Sequence, residues 1–313
     1  MWGIDVSRHQ GMINWATVVQ QGVQFVILKA MNEKTHQPDP RFEFNYEHSG
    51  NYKLHRGVYL YMIAQNEADA MREADALLKI LHGRKLERNV WLDVEDSRIK
   101  DLGKDKLTRI IDIEASMLRS GGYQVGIYSN LDWYNNVLDG SALNERYDWW
   151  LARYPKKDDG SIKLLLTPDK SMSIWQYSSK GSIDGIKGPV DMDIDISDLG
   201  KTDDQIASEI LVGKWGNGQI RYNRLTAAGY DFALIQQIVT KRVHDAKYYP
   251  KYEGFSLKID EVFKAIGVEE KYRGNKVNRA PIAKANKIEK YSGTLLQNLK
   301  LISLAKEGNL KRP

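Results

Sequence analysis

The segment Trp91-Leu92-Asp93-Val94-Glu95 places two carboxylates two residues apart inside an apolar run. Side chains alternate along a strand, so Asp93 and Glu95 share one face while Val90, Leu92 and Val94 take the other. At a rise of roughly 3.3 Å per residue, the two acids stand about 6–7 Å apart at the backbone. One carboxyl can then protonate a leaving oxygen while its partner handles charge or water, which is the division of labour in glycoside hydrolysis. The alternation recurs at Asp5, between Ile4 and Val6, and at Asp191, Asp193 and Asp195, which alternate with Met192, Ile194 and Ile196. Converging carboxylates raise one another's proton affinity, and this makes a Glu usable as an acid near neutral pH. Two other readings attach to the same residues: ion-paired or solvated acids at strand ends, and a divalent-cation site. No His accompanies the acids on these strands, which counts against the cation.

Aromatic residues fall at the same strand ends. Tyr59 and Tyr61 share a face opposite Val58 and Leu60, Tyr128 closes one apolar run, Trp149-Trp150 opens another, and Trp175-Gln176-Tyr177 closes a third. Such rings can stack on sugars while their polar tips bond hydroxyls. Core packing is the competing use, favoured for Trp149 and Trp2.

Eight strands must position these groups: Gly3–Val6, Gln24–Ala30, Gly57–Met62, Asn89–Glu95, Tyr123–Ser129, Trp149–Tyr154, Ser173–Tyr177 and Val190–Ile196. Between them Glu67–Leu81 carries a helical stripe (Ala70, Ala74, Leu77, Leu78, Leu81) with Asn66 as its N-cap. Lys106–Leu118 is a second helix, stopped by Gly121-Gly122. Strands interleaved with helices indicate an α/β chain with a parallel sheet, and eight strands can close into a barrel. The later connections are too short for full helices, so the barrel is expected to be irregular. After Thr202-Asp203-Asp204 only helical patterns remain, at Gln205–Val212, Phe232–Val243, Ile259–Ile266, Pro281–Ala285 and Thr294–Leu304. A small, mainly helical C-terminal region follows from them.

The chain has 313 residues, 42% hydrophobic and 28% charged, as in ordinary globular proteins. Zero cysteines exclude disulfides, thiolate metal sites and a Cys nucleophile. No apolar run reaches the roughly 20 residues that span a bilayer, and the first residues lack a signal-peptide pattern. The net charge of +5 is uneven: residues 201–313 hold 21 Lys and Arg against 12 Asp and Glu, leaving the front acidic. A basic back suits an anionic partner.

Read together, the front segments resemble the family 25 glycoside hydrolases, the lysozymes (N-acetylmuramidases) of Chalaropsis type. The matching pieces are Gly3-Ile4-Asp5-Val6-Ser7 with His9-Gln10-Gly11, Phe25-Val26-Ile27-Leu28-Lys29-Ala30, Gly57-Val58-Tyr59 and Trp91-Leu92-Asp93-Val94-Glu95. They continue with Gly126-Ile127-Tyr128-Ser129-Asn130, Trp150-Leu151-Ala152-Arg153-Tyr154, Trp175-Gln176-Tyr177 and Val190-Asp191-Met192-Asp193. The resemblance implies an irregular β/α barrel over 1–200 that cleaves the β-1,4 bond between N-acetylmuramic acid and N-acetylglucosamine. It implies Glu95 as general acid/base and Asp93 as nucleophile or as the group orienting the 2-acetamido. Asp5 and Asp191 complete the acidic floor. Tyr59, Tyr61, Tyr128, Trp150, Gln176, Asp193 and Lys29 are the expected substrate contacts, with no metal and no cofactor. One departure stands out: Met31-Asn32 precedes Glu33, so Asn32 occupies the usual Glu position and Glu33 receives no role.

Residues 206–218 and Arg224-Leu225-Thr226-Ala227-Ala228-Gly229-Tyr230-Asp231 resemble a CPL-7-type cell-wall-binding repeat, giving a module over 203–245. Residues 246–313 are similar to tails of clostridial-type wall hydrolases and are expected to form a further wall-binding segment. The expected partner is Gram-positive peptidoglycan, with no nucleic acid and no membrane insertion. The leading expectation is a phage endolysin, made in the host cytoplasm and released to the wall. A secreted autolysin of the same chemistry, a non-catalytic wall-binding protein and a nucleic-acid-binding protein are the alternatives; the last lacks any recognised motif.

Overall fold

The structure is a computed structural model that describes residues 1–313. Strands β1 (Trp2–Val6), β2 (Phe25–Lys29), β3 (His55–Tyr61), β4 (Val90–Asp93), β5 (Val125–Asn130), β6 (Asp148–Ala152), β7 (Ile174–Gly181) and β8 (Val190–Asp195) close into a barrel in chain order. Helices α1 (Trp15–Gln20), α2 (Phe42–Asn51), α3 (Glu67–Leu81) and α4 (Lys104–Ser120) connect the first five strands. The Asn66 side chain accepts the Asp69 N–H at 3.0 Å and so caps α3. The buried stripes of α3 and α4 pack against one another on the outer wall. From β5 onward the connections shrink to a π-turn at Trp133–Val137, α5 (Gly140–Asn144) and a 3-10 turn at Leu164–Leu166. The expected irregular barrel is therefore present.

One expectation is corrected. Strand β8 runs antiparallel to both β7 and β1, not parallel as the rest of the sheet does. Only residues 182–189 separate β7 from β8, and a parallel crossover needs about a dozen residues or more. The reversal orders the acids of β8 by depth. Asp191 pairs with Asp5, Asp193 with Gly3 one layer down, and Asp195 takes two bonds of 2.8 Å from Arg88.

Inside the barrel, Phe25, Ile27, Trp91, Tyr128, Trp150, Ala152 and Ile174 form one apolar layer. Small residues make room for the large rings. A Cβ on Gly126 would stand 2.3 Å from the Trp91 ring, and one on Gly3 would stand 2.5 Å from Phe25. Substitution at either site would force the interior apart.

The chain forms two compact units, residues 1–202 with 213–232, and residues 203–212 with 233–313. In the first, α7 (Gly218–Ala227) is tied to the α1–β2 turn: Asn223 donates to the Gln21 carbonyl at 2.7 Å and Arg224 to the Gly22 carbonyl at 2.9 Å. The second contains α6 (Asp203–Leu211), all but the first residue of α8 (Phe232–Lys247), α9 (Ile259–Ala265), α10 (Lys276–Ala285) and α11 (Leu295–Lys306). Its core includes Val262, Phe263, Ile282, Leu301 and Leu310, all buried. Arg242 joins α8 to α6 through Asp204 at 2.6 Å and Ser208 at 2.7 Å. No helix is long and apolar enough to cross a membrane.

Candidate active site

The acids gather at the carboxyl ends of the parallel strands, where barrel enzymes carry their chemistry. Asp93 ends β4, in register with Tyr61 of β3 on one side and Tyr128 of β5 on the other. Glu95 follows two residues later and receives the Asn130 side-chain amide at 3.5 Å. Asp5 and Asp191 face each other across β1 and β8. All four catalytic candidates therefore belong to one end of the barrel.

Burial sets their proton affinities. It pushes Glu95 above the usual carboxylate range, with the Asn130 amide pulling the other way. Asp93 is raised further, first by burial and then by the neighbouring Glu95, against the offsetting charge of Lys29. Burial moves Asp191 up to about 6. Asp5 is raised well above its ordinary value by burial, with Asp191 and Asp193 adding repulsion. All four acids therefore hold a proton more tightly than exposed carboxylates do.

Lys29 and the tyrosines border the acids. The Lys29 ammonium is 2.9 Å from Glu33, and lies 5.9 Å and 5.3 Å from the ring centres of Tyr59 and Tyr61. Glu33, left without a role by its sequence position, thus holds Lys29 in place. Tyr59 and Tyr61 are partly exposed and keep surface for a ligand.

Four expected substrate contacts are buried: Tyr128, Trp150, Gln176 and Asp193 are 7%, 2%, 3% and 0% exposed, and their polar groups bond one another or the acids. The Gln176 amide donates to Asp5 at 2.6 Å while its carbonyl accepts the Tyr128 hydroxyl at 2.8 Å. Trp150 donates its indole N–H to Asp193 at 2.8 Å. Sequence reasoning missed two groups outright. Tyr154 donates its hydroxyl to the same Gln176 carbonyl, and Asn130 bonds Glu95. Each sits in a segment already matched, Trp150–Tyr154 and Gly126–Asn130, and position at a strand end was the available signal.

The sequence profile of Glycosyl hydrolases family 25 matches residues 4–186, more than half of the chain. The chain belongs to glycosyl hydrolases family 25. A second profile, the CW_7 repeat, matches residues 204–243. Among relatives, the uncharacterized protein YegX of Escherichia coli K12 is 32% identical over 197 residues, covering 61% of this chain and 68% of that protein. The lysozyme of Streptococcus phage Cp-7 is 24% identical over 252 residues, covering 76% of this chain and 69% of that protein. Among solved structures, the modular autolysin LytC of Streptococcus pneumoniae aligns with a TM-score of 0.53 at 25% identity. That alignment covers 61% of this chain but 46% of LytC, so this family 25 chain spans less than half of the autolysin's length.

Proposed function

We propose that this family 25 chain is a lysozyme that hydrolyses the β-1,4 bond between N-acetylmuramic acid and N-acetylglucosamine in peptidoglycan. The observation that carries this reading is Glu95, a carboxyl of raised proton affinity beside Asp93 at the mouth of the barrel. The Glu95 proton goes to the glycosidic oxygen as the bond to the anomeric carbon breaks, and the carboxylate left behind then draws a proton from water. Asp93 keeps a small exposed surface beside Glu95, and as a carboxylate it would accept the 2-acetamido N–H of the sugar, whose carbonyl then attacks the anomeric carbon. Asp5 and Asp191 stabilise the positive charge developing on the ring.

The alignment with an autolysin solved in complex with a synthetic peptidoglycan ligand supports the substrate class. The CW_7 match supports a wall-binding module over 203–245, with the basic segment 246–313 as a further attachment to the same polymer. Attachment raises the local concentration of the barrel at its substrate. Similarity to a phage lysozyme supports delivery as an endolysin.

The test is the sugar at the new reducing end. Peptidoglycan digested by the protein and reduced with borohydride should yield reduced muramic acid. Reduced glucosamine would mean cleavage of the alternate bond, and no new reducing end would remove the hydrolase reading.

A further inference from the structure

Strands β7 and β8 slip register between Gln176 and Ser178 and again between Ser178 and Gly181. At the second slip Ser178 stands opposite Met192 and Gly181 opposite Val190, so Ser179 and Lys180 together face the single residue Asp191. Two residues against one is a β-bulge. It falls where Asp191, on its other side, pairs with Asp5 of β1. Backbone N–H groups at such a step lose their ladder partners and must find others.

Asp158, in the connection from β6 to β7, supplies them. Its Oδ2 accepts the Ser179 N–H at 2.7 Å, and its Oδ1 accepts the hydroxyl of the buried Ser178 at 2.6 Å. Ser178 Oγ in turn accepts the Lys180 N–H at 2.9 Å. Both N–H groups of the bulge are thus satisfied through one carboxylate. The Gly160 N–H at 3.0 Å and the Ser179 hydroxyl at 3.3 Å add two further donors. Burial acts upward on the proton affinity of Asp158, and the bonds from Ser178, Gly160 and Ser179 outweigh it, so the group stays ionised. The fit is close: a Cβ on Gly160 would stand 2.8 Å from the Lys180 carbonyl. The adjacent Asp159 keeps its bonds within its own turn, to Ser161 and Lys163.

We propose that Asp158 is a positioning residue that locks the β7 bulge against β8 and so holds Asp191 in register with Asp5 at the cleft floor. The consequence for catalysis rests on the lysozyme reading of the site, in which Asp191 stabilises developing charge without having to reorient. The start of the connection is fixed separately. The Arg153 N–H donates to the Gln176 backbone carbonyl at 3.1 Å, and the Arg153 carbonyl accepts the Trp175 indole N–H at 2.9 Å. Asp158 therefore acts on the bulge rather than on the base of the connection. In the sequence Asp158-Asp159-Gly160 is a plain polar turn, and only the bonds across to β7 separate Asp158 from Asp159.

Asparagine offers one acceptor oxygen where the carboxylate offers two, so it cannot serve both Ser178 and Ser179. In the full chain, amide exchange at Ser179 and Lys180 should quicken about 10- to 100-fold in Asp158→Asn and in Asp158→Ala, as expected for loss of bonds to a charged group, while the amides of β1 keep their protection and show that the barrel is folded. On peptidoglycan, kcat should fall about 10-fold in both variants with KM within about 2-fold, the split expected when a transition-state contact is displaced. Asp159→Asn should change neither quantity. Exchange reads the bulge whether or not the chain cleaves glycan, so an intact protein without activity would remove the lysozyme reading and leave exchange to decide the lock. Unchanged exchange at Ser179 in the Asp158 variants, quickened exchange with kcat unaltered, or an equal loss in Asp159→Asn would each overturn the assignment.

Discussion

The side-chain amide of Asn130 donates to Glu95 Oε2 at 3.5 Å while its Oδ1 accepts the Trp133 backbone N–H at 3.1 Å. The second bond orients the first. With its oxygen engaged by the turn after β5, Asn130 can only present N–H to Glu95, and that donor favours the ionised carboxylate. Burial acts in the opposite sense. The proton affinity of Glu95 is the balance of the two.

Removing Asn130 tips that balance upward. Glu95 must be protonated to act as the acid, so its pKa sets the alkaline limb of kcat/KM. In Asn130→Ala the limb should move to higher pH by about 0.5–1 unit, the size of a hydrogen bond to a charged group at this length. A limb that stays in place or moves down would show that the amide does not tune the acid.

The two hydroxyls on Gln176 are redundant for orientation. Tyr128→Phe or Tyr154→Phe alone leaves one donor on the Gln176 carbonyl, and kcat should fall by less than about 3-fold. The double variant frees the amide to flip and should lose about 10-fold or more, a non-additive result. Single-variant losses that merely multiply would contradict the shared-acceptor geometry.

A buried acid pair outside the cleft, Glu73 with Glu114, links stability to pH. Glu73 of α3 accepts the Ile63 N–H at 3.3 Å, and the fully buried Glu114 of α4 is its partner. Burial moves Glu73 up to about 7 and raises Glu114 well above its ordinary value. Asp69 and Arg98 are the other charges acting on Glu73. Because the folded-state pKa lies above the unfolded one, the stabilisation is full below about pH 4.5 and is lost as pH rises through about 7. The Tm should therefore fall between pH 5 and 8, and Glu114→Gln, which keeps a donor but does not titrate, should fall less. A difference of at least about 3 °C corresponds to roughly 1 kcal/mol in a domain of this size. Parallel curves would remove the pair from the account.

The basic tail should make wall retention sensitive to salt. Residues 246–313 carry 15 Lys and Arg against 7 Asp and Glu. Retention of Glu95→Gln on purified walls should weaken about 10-fold or more from about 0.1 M to about 1 M salt, as the screening length falls from ~10 Å to ~3 Å. Retention unchanged by salt would point to uncharged contacts instead.

Most of the barrel was legible because Val/Ile-rich runs such as Phe25–Lys29 are buried on both faces. Direction was not: alternation reads the same in either sense, so only the short 182–189 connection could have revealed that β8 is reversed. Depth was hidden with it. Asp191 and Asp193 are equivalent in a list of alternating residues, yet one pairs with Asp5 and the other with Gly3, a layer below. Helix α2 escaped because its buried face is Phe42, Asn45 and Ser49, which makes no apolar stripe. The Asn130 and Tyr154 bonds join residues distant in sequence, and only closure of the barrel brings them to Glu95 and Gln176.

The central claim is that protonated Glu95 cleaves the muramic acid bond, and product mass analysis tests it directly. Purified Gram-positive peptidoglycan is digested with the intact protein and with Glu95→Gln. Muropeptides with new reducing muramic acid ends are expected from the intact protein, with release slowed about 10²- to 10⁴-fold in the variant, the usual contribution of a general acid. Release surviving at full rate in Glu95→Gln would place the acid on another residue. No release by the intact protein from several wall types to which it still binds would contradict the hydrolase reading itself.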